Sequence, residues 1–201
     1  MRIVLLRHGD AVNSTGKFHG WIDNPLTSQG AKEAADISDH IRQYNPSKII
    51  SSPMSRARDS ASIIANKLGI PMETNQALMP LDLGDYDGQP IDKYLGNVRT
   101  HFSNPNKRFP NGETVNNWAQ NRFIPYFNKQ LFNNDPGTIA MMTHGRNIIL
   151  AKADIAQGNN LNYDNSMLLD NKQTTEHGGY AIATPNSFEI KTPKAVKAGQ
   201  S

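Results

Sequence analysis

Two short stretches of this 201-residue chain share a form suited to chemistry: Leu6-Arg7-His8-Gly9 and Thr143-His144-Gly145. Each follows an apolar run and sets a histidine directly before a glycine, where the backbone can turn sharply and a ligand can come close. A third stretch, Ser51 to Arg58, places Arg56 and Arg58 in the first turns of a helix opened by Ser52-Pro53. Two imidazoles and two or more guanidiniums around one point make a phosphate pocket. Arginine stays charged and presents a fork of donors that matches phosphate oxygens two at a time. A neutral imidazole nitrogen can attack phosphorus, giving a phosphohistidine that water then hydrolyses. The remaining cations balance charge on the equatorial oxygens during transfer.

These stretches meet only if the intervening elements bring them together. Ile3 to Leu6 is a continuous apolar run, as in a buried parallel strand. From Thr27, an N-cap residue, Ala31, Ala34, Ile37, Ile41 and Tyr44 recur at helical spacing until Asn45-Pro46. Ile49-Ile50 gives a second short strand. Ala57, Ala61, Ile64 and Leu68 then line one face of a helix that Gly69 closes. The order β-α-β-α is that of a doubly wound sheet, in which ligands bind beyond the carboxyl ends of the strands. Both histidines stand at such ends.

Residues 76 to 112 are irregular, with a helix around Tyr94. A helix from Thr114 to about Phe132 must kink or split at Pro125. Thr138 to Thr143 is a strong strand followed by a helix containing Ile148 to Leu150. Gly179 to Ala183 and Phe188 to Lys191 form a hairpin across Pro185-Asn186. The expectation is an α/β fold: one domain over residues 1–191, built as a three-layer α/β/α sandwich with a mostly parallel sheet. Residues 192–201 form a polar tail.

Composition narrows the function. Apolar residues make up 37% of the chain and mean hydropathy is −0.60, as in a soluble protein with a core of its own. No window approaches the ~20 apolar residues of a membrane span, and the N-terminal apolar run is too short for a signal peptide. There is no cysteine, which excludes disulfides, thiol nucleophiles and thiolate metal sites. A net charge of +3 suits anionic small molecules but not a nucleic-acid stripe. The reading is a cytoplasmic protein with a phosphorylated small-molecule substrate, no cofactor, no metal, no nucleic-acid or membrane partner, and an oligomeric state the sequence leaves open.

Leu6-Arg7-His8-Gly9 resembles the signature of the histidine phosphatase superfamily, and the resemblance covers most of the chain. Phe18 to Asp23 with Leu26-Thr27 and Gly30 is similar to the segment that follows the signature in phosphoglycerate mutases and related phosphatases. Ser52-Pro53 through Arg56-Ala57, Leu81 to Gly88, Pro110 to Thr114 and Thr143-His144-Gly145 follow in the family's order. The resemblance implies that His8 is the nucleophile, that Arg7 and Arg56 grip the phosphoryl group, and that His144 donates hydrogen bonds to it. Gly20 and Gly145 belong to the same binding surface. The family's phosphate-contacting asparagine falls in a loop one residue short here, so Asn13 or Ser14 takes its place.

One departure concerns the proton donor. The resemblance puts a glutamate where this chain has Pro80. Asp82, two residues on and facing the same way along an extended chain, is the substitute acid, with Asp85, Asp87 and Glu113 behind it. Glu113 is otherwise read as capping the helix after it. Arg58, His40, His19 and His101 read as surface or capping residues, Trp21 as a packing anchor, and His177, before Gly178-Gly179, as a candidate for the rim. The activity implied is metal-independent hydrolysis of phosphomonoesters through phosphohistidine at His8. The alternatives are a mutase, for which Lys107-Arg108 is the only basic pair in view, and a pseudophosphatase that only binds phosphorylated ligands.

Overall fold

The computed structural model describes residues 1–13, 15–158, 168 and 175–191. The 192–201 tail lies outside them. The strands are β1 (Arg2–Arg7), β2 (Ile49–Ser51), β3 (Met72–Thr74), β4 (Thr138–Thr143), β5 (Tyr180–Thr184) and β6 (Ser187–Lys191). They form one sheet in the order β3-β2-β4-β1-β5-β6. The first four run parallel; β5 is antiparallel to β1, and β6 to β5. The helices are α1 (Ser28–Ile41), α2 (Ser55–Leu68), α3 (Ile91–Ser103), α4 (Ile124–Leu131) and α5 (Gly145–Ala156).

Strand β1 shows why the sandwich has two faces. Ile3 and Leu5 join one buried cluster with Phe127, Ile148 and Ile149, whereas Val4 and Leu6 join another with Ile37, Ala57, Ala61 and Ile64. Alternate residues of a strand point to opposite faces. The sheet is therefore covered by α1 and α2 on one side and by α4 and α5 on the other, which is why the run in β1 is apolar throughout.

The helix starts are set partly by distant residues. Thr27 caps α1, its Oγ1 accepting from Gly30 N at 3.0 Å. Helix α2 begins at Ser55, three residues later than the Ser52-Pro53 pair suggests. Its cap comes from another loop: the Asp23 carboxylate accepts from Ser55 N at 2.6 Å and from Ser55 Oγ at 2.7 Å. Pro125 splits its helix as expected. A π-helical stretch over Asn117–Phe123 precedes α4, and Ile124 N bonds to Ala119 O, five residues back. Proline has no N–H to carry the regular ladder through this point. The three-residue strand β3 was not foreseen; Met72, Glu73 and Thr74 are partly buried or exposed and show no apolar run.

Candidate active site

The carboxyl ends of three adjacent parallel strands converge. Arg7 is in register with Thr143, and Ser51 with Met142, so the residues that follow β1, β2 and β4 emerge at one edge. His8 and His144 consequently lie with ring centroids 5.1 Å apart. Gly9 permits this sharp exit: a Cβ there would fall 2.2 Å from Gly30 O at the start of α1. A cavity of about 200 Å³ opens at this edge. That is smaller than the ~300–1,000 Å³ of drug-sized sites. Its polar wall holds Arg7, His8, Arg56, His144, His19 and His177, with Lys17 and Arg146 beside them. Gly20 and Gly145 line it too, as do Pro80 and Leu81.

The proton positions on His8 follow from its partners. Nδ1 lies 2.8 Å from the carbonyl of Gly9, which can only accept, so Nδ1 carries the hydrogen. The lone pair is then on Nε2, which receives the Arg56 Nε–H at 3.3 Å. Burial, and then the charge of Arg56, hold the imidazole pKa well below its usual value. The ring is a neutral base with its free nitrogen in the cavity. His144 Nε2 lies 3.0 Å from Ser52 Oγ, which itself accepts from Met54 N at 3.4 Å. The other ring nitrogen, Nδ1, is a buried atom with no protein partner. Burial and Arg56 keep this imidazole neutral as well.

The two arginines are held differently. Arg7 donates from Nη1 to Thr175 O at 2.7 Å, and its buried Nε has no partner. Arg56 is braced on the loop opposite α2: Nη1 donates to Ile22 O at 2.8 Å, and Nη2 to His19 O and Gly20 O at 3.0 and 3.1 Å. Burial lowers both pKa values to about 10, where each still carries its charge at neutral pH. His177 joins the group with its ring 5.5 Å from that of His8 and Nδ1 3.5 Å from Asp10 Oδ1.

The carboxylate expectation fails on geometry. Asp82 does not line the cavity. Its neighbours Leu81 and Leu83 are buried in the core, the chain leaves the extended conformation at Leu83 (φ −89°, ψ 0°), and the Asp82 Oδ1 folds back to accept from Gly84 N at 2.9 Å. Asp85 is exposed and paired with Asn111 Nδ2 at 2.9 Å. Glu113 does not cap its own helix: it is ion-paired with Arg122 and accepts from Asp82 N at 3.0 Å and Asn117 Nδ2 at 3.1 Å. Among the described residues no carboxylate lines the cavity. Asp87 stands directly behind its wall, where a Cβ on Gly20 would fall 2.3 Å from Oδ1. Trp21 N donates to its Oδ2 at 2.7 Å, and burial pushes its pKa up to about 6.

Asn13 sits in the turn with φ 57°, exposed and outside the cavity, so the structure does not bring it to the phosphate position. Ser14 lies outside the described residues. The expectations for His19 and His101 also need revision. His19 is a cavity residue, with Nδ1 accepting from Asn24 Nδ2 at 2.8 Å and Nε2 buried without a partner. His101 is buried and stacked on Phe109 with centroids 4.1 Å apart, while His177 does line the cavity. Trp21 is 44% exposed and tethered by Nε1 to Pro80 O at 2.9 Å. Arg58 pairs with Asp59 on the surface at 3.1 Å.

Lys17 and Arg146 went unnoticed in the sequence. The first sits in a loop without periodicity; the second directly follows His144-Gly145, a placement that could have disclosed it.

Neutral imidazoles between fixed guanidiniums, at the joined ends of parallel strands, define a phosphoryl-handling site. A model of the histidine phosphatase superfamily (branch 1) matches residues 3–178, and the chain belongs to this family. Over 93 residues, 46% of the chain, it is 33% identical to the probable phosphoglycerate mutase GpmB of Yersinia pestis (strain Pestoides F); the match spans 43% of that protein's length. Among solved structures it is similar to mycobacterial glucosyl-3-phosphoglycerate phosphatase (TM-score 0.74, 19% identity, 94% of this chain and 95% of that one). The α-ribazole phosphatase of Shigella flexneri has the same fold (TM-score 0.73, 18% identity, 95% of each chain).

Proposed function

We propose that the protein is a phosphatase that hydrolyses phosphomonoesters through a phosphohistidine at His8. The observation that carries this reading is the single lone pair on His8 Nε2, set by the Nδ1 contact to Gly9 O and facing Arg56 in a cavity shared with Arg7 and His144. In the first step Nε2 attacks phosphorus, the P–O bond to the alcohol breaks, and the departing oxygen takes a proton from solvent water. In the second, water attacks phosphorus, the P–N bond breaks, inorganic phosphate leaves, and His8 returns neutral as the water's proton passes to solvent. Arg7 and His144 supply charge and donors to the equatorial oxygens. Arg56 gives up its contact with His8 as phosphorus approaches and transfers that N–H to the phosphoryl group.

With no carboxylate in the cavity wall among the described residues, this reading favours substrates whose alcohols leave easily. Among the described residues no group of three or more His, Asp or Glu could hold a metal ion, and the guanidiniums provide the charge such an ion would bring. Among those residues no helix is long and apolar enough to cross a membrane.

Rapid acid-avoiding quench of the protein with a ³²P-labelled aryl phosphate tests the reading. Acid-labile label on the wild-type chain, absent from His8→Ala together with turnover, is the expected result. Aryl phosphate hydrolysis by His8→Ala within tenfold of wild type overturns it. A mutase would give a positional isomer in place of inorganic phosphate, and a pseudophosphatase would give neither label nor product.

A further inference from the structure

The cavity holds more positive charge than a phosphoryl group requires. Arg7 and Arg56 together match the charge of a phosphate dianion, and His144 adds a neutral donor. Arg146, the second residue of α5, also lines the cavity. It forms no ion pair or hydrogen bond among the described residues; its Nε is buried without a partner, and its Cζ lies 5.6 Å over the ring of Phe102. Lys17 lines the same cavity from the loop after β1, held in place where Lys17 pairs with Pro90 and Ile91 N bonds to Gly16 O at 2.9 Å. Neither has a carboxylate partner there, because among the described residues no carboxylate lines the wall.

A guanidinium left unpaired in a partly buried wall is costly unless an anion meets it. Burial lowers the pKa of Arg146, with only Asp87 opposing. The apolar lining supplied by Phe18, Leu81 and Ile91 would face the carbon skeleton between two anionic ends.

We propose that Arg146 and Lys17 form a subsite for a second anionic group, so that the preferred substrates are phosphomonoesters whose alcohol carries a carboxylate or a further phosphate. This rests on the phosphatase reading of the same cavity and replaces Lys107-Arg108 as the basic pair. Lys107 is exposed, and Arg108 donates to Gly112 O at 2.7 Å, away from the cavity wall.

Paired probes differing only in the second anion provide the test: 3-carboxyphenyl phosphate against phenyl phosphate, and fructose 1,6-bisphosphate against fructose 6-phosphate. The wild type should prefer the doubly anionic member of at least one pair by tenfold or more in kcat/KM, and the pair that responds tells carboxylate from phosphate. Arg146→Gln should reduce that ratio at least tenfold, Lys17→Gln about threefold, and Arg146→Lys should restore part of it. Circular dichroism and the restored ratio in Arg146→Lys separate this from misfolding.

The proposal is overturned if the wild type shows no preference, or if Arg146→Gln slows both members of a pair equally, which would assign Arg146 to the phosphoryl group itself. A binding arm keeps the two readings distinguishable. Calorimetry on the His8→Asn protein should show 3-phosphoglycerate binding at least tenfold tighter than glycerol 3-phosphate, with the difference lost on adding Arg146→Gln. If no phosphomonoester is hydrolysed but this difference holds, the phosphatase reading falls and the subsite stands. Equal binding overturns the subsite.

Discussion

Arg56 directs its Nε hydrogen at His8 Nε2 across 3.3 Å, onto the lone pair of the ring. The contact helps keep the imidazole oriented and unprotonated; in the mechanism proposed above it then yields its donor to the incoming phosphoryl oxygen. Three backbone carbonyls of residues 19, 20 and 22 hold the guanidinium meanwhile, so the exchange needs little movement of the arginine.

Arg56→Gln should therefore change both rate and pH dependence. Loss of a charged donor from such a site typically costs 10²–10³-fold in kcat. Burial contributes most to the depressed pKa of His8 and Arg56 comes next, so the variant's His8 should titrate closer to 6.5. Attack requires the neutral ring; the acid limb of kcat/KM should move to higher pH. An unmoved limb with the same loss of rate would mean that Arg56 only braces the loop.

Leaving-group dependence tests the missing acid. The rate should fall steeply from aryl to alkyl phosphates, since an alkoxide benefits from protonation by about 10²–10⁴-fold where a donor is present. Asp82→Asn should leave both classes within about threefold, because asparagine Oδ1 can still accept from Gly84 N. Asp87→Asn is the sharper test. A loss confined to alkyl phosphates would identify this carboxyl, with its pKa near 6, as a donor after all.

Glu113 and Arg122 support the cavity wall from behind. Arg122 donates to Met79 O at 2.9 Å and Pro80 O at 3.0 Å while paired with Glu113. Glu113→Ala would leave Arg122 and Asp82 N short of partners in a mostly buried place, a cost of roughly 2–3 kcal/mol. A lowered urea midpoint, with kcat on an aryl phosphate reduced less than tenfold, is the expected pattern. Selective loss on alkyl substrates would instead make Glu113 a proton donor.

The stability of the fold should fall on mild acidification. His8, His144, His177 and His19 have pKa values lowered first by burial, so below pH 6.5 the unfolded chain takes up protons that the folded chain refuses. Their contribution is complete above pH 6.5 and is lost as pH falls toward the folded-state values. Asp87 acts in the opposite sense: its folded pKa of about 6 exceeds the unfolded 3.8, so its contribution is present below 3.8 and lost as pH rises through 6. Urea midpoints at pH 7, 6 and 5 should decline, less steeply in His144→Asn and more steeply in Asp87→Asn. A flat wild-type profile would contradict the burial of neutral imidazoles.

Chelation offers a last check. Activity should persist in excess EDTA, because the site's positive charge is guanidinium. Complete loss, restored by Mg²⁺ or Zn²⁺, would overturn the metal-independent reading.

Local pattern determined the parts of this protein whose cause is local. The unbroken Ile3–Leu6 run required a strand covered on both faces, Thr27 marked a helix start, Pro125 marked a break, and the glycines after His8 and His144 marked strand ends turning into a site. Folding decided what depended on neighbours from elsewhere in the chain. Asp23 set the start of α2 from another loop, and the buried leucines flanking Asp82 turned its carboxylate onto Gly84. The register of β1 with β4 joined two histidines that are 136 positions apart in sequence. The same edge collected Lys17, His19, Arg146 and His177, residues with no shared pattern in the sequence. Spacing encodes which face of an element is buried, but a cavity is made where separate elements end together, and that proximity exists only once the sheet has formed.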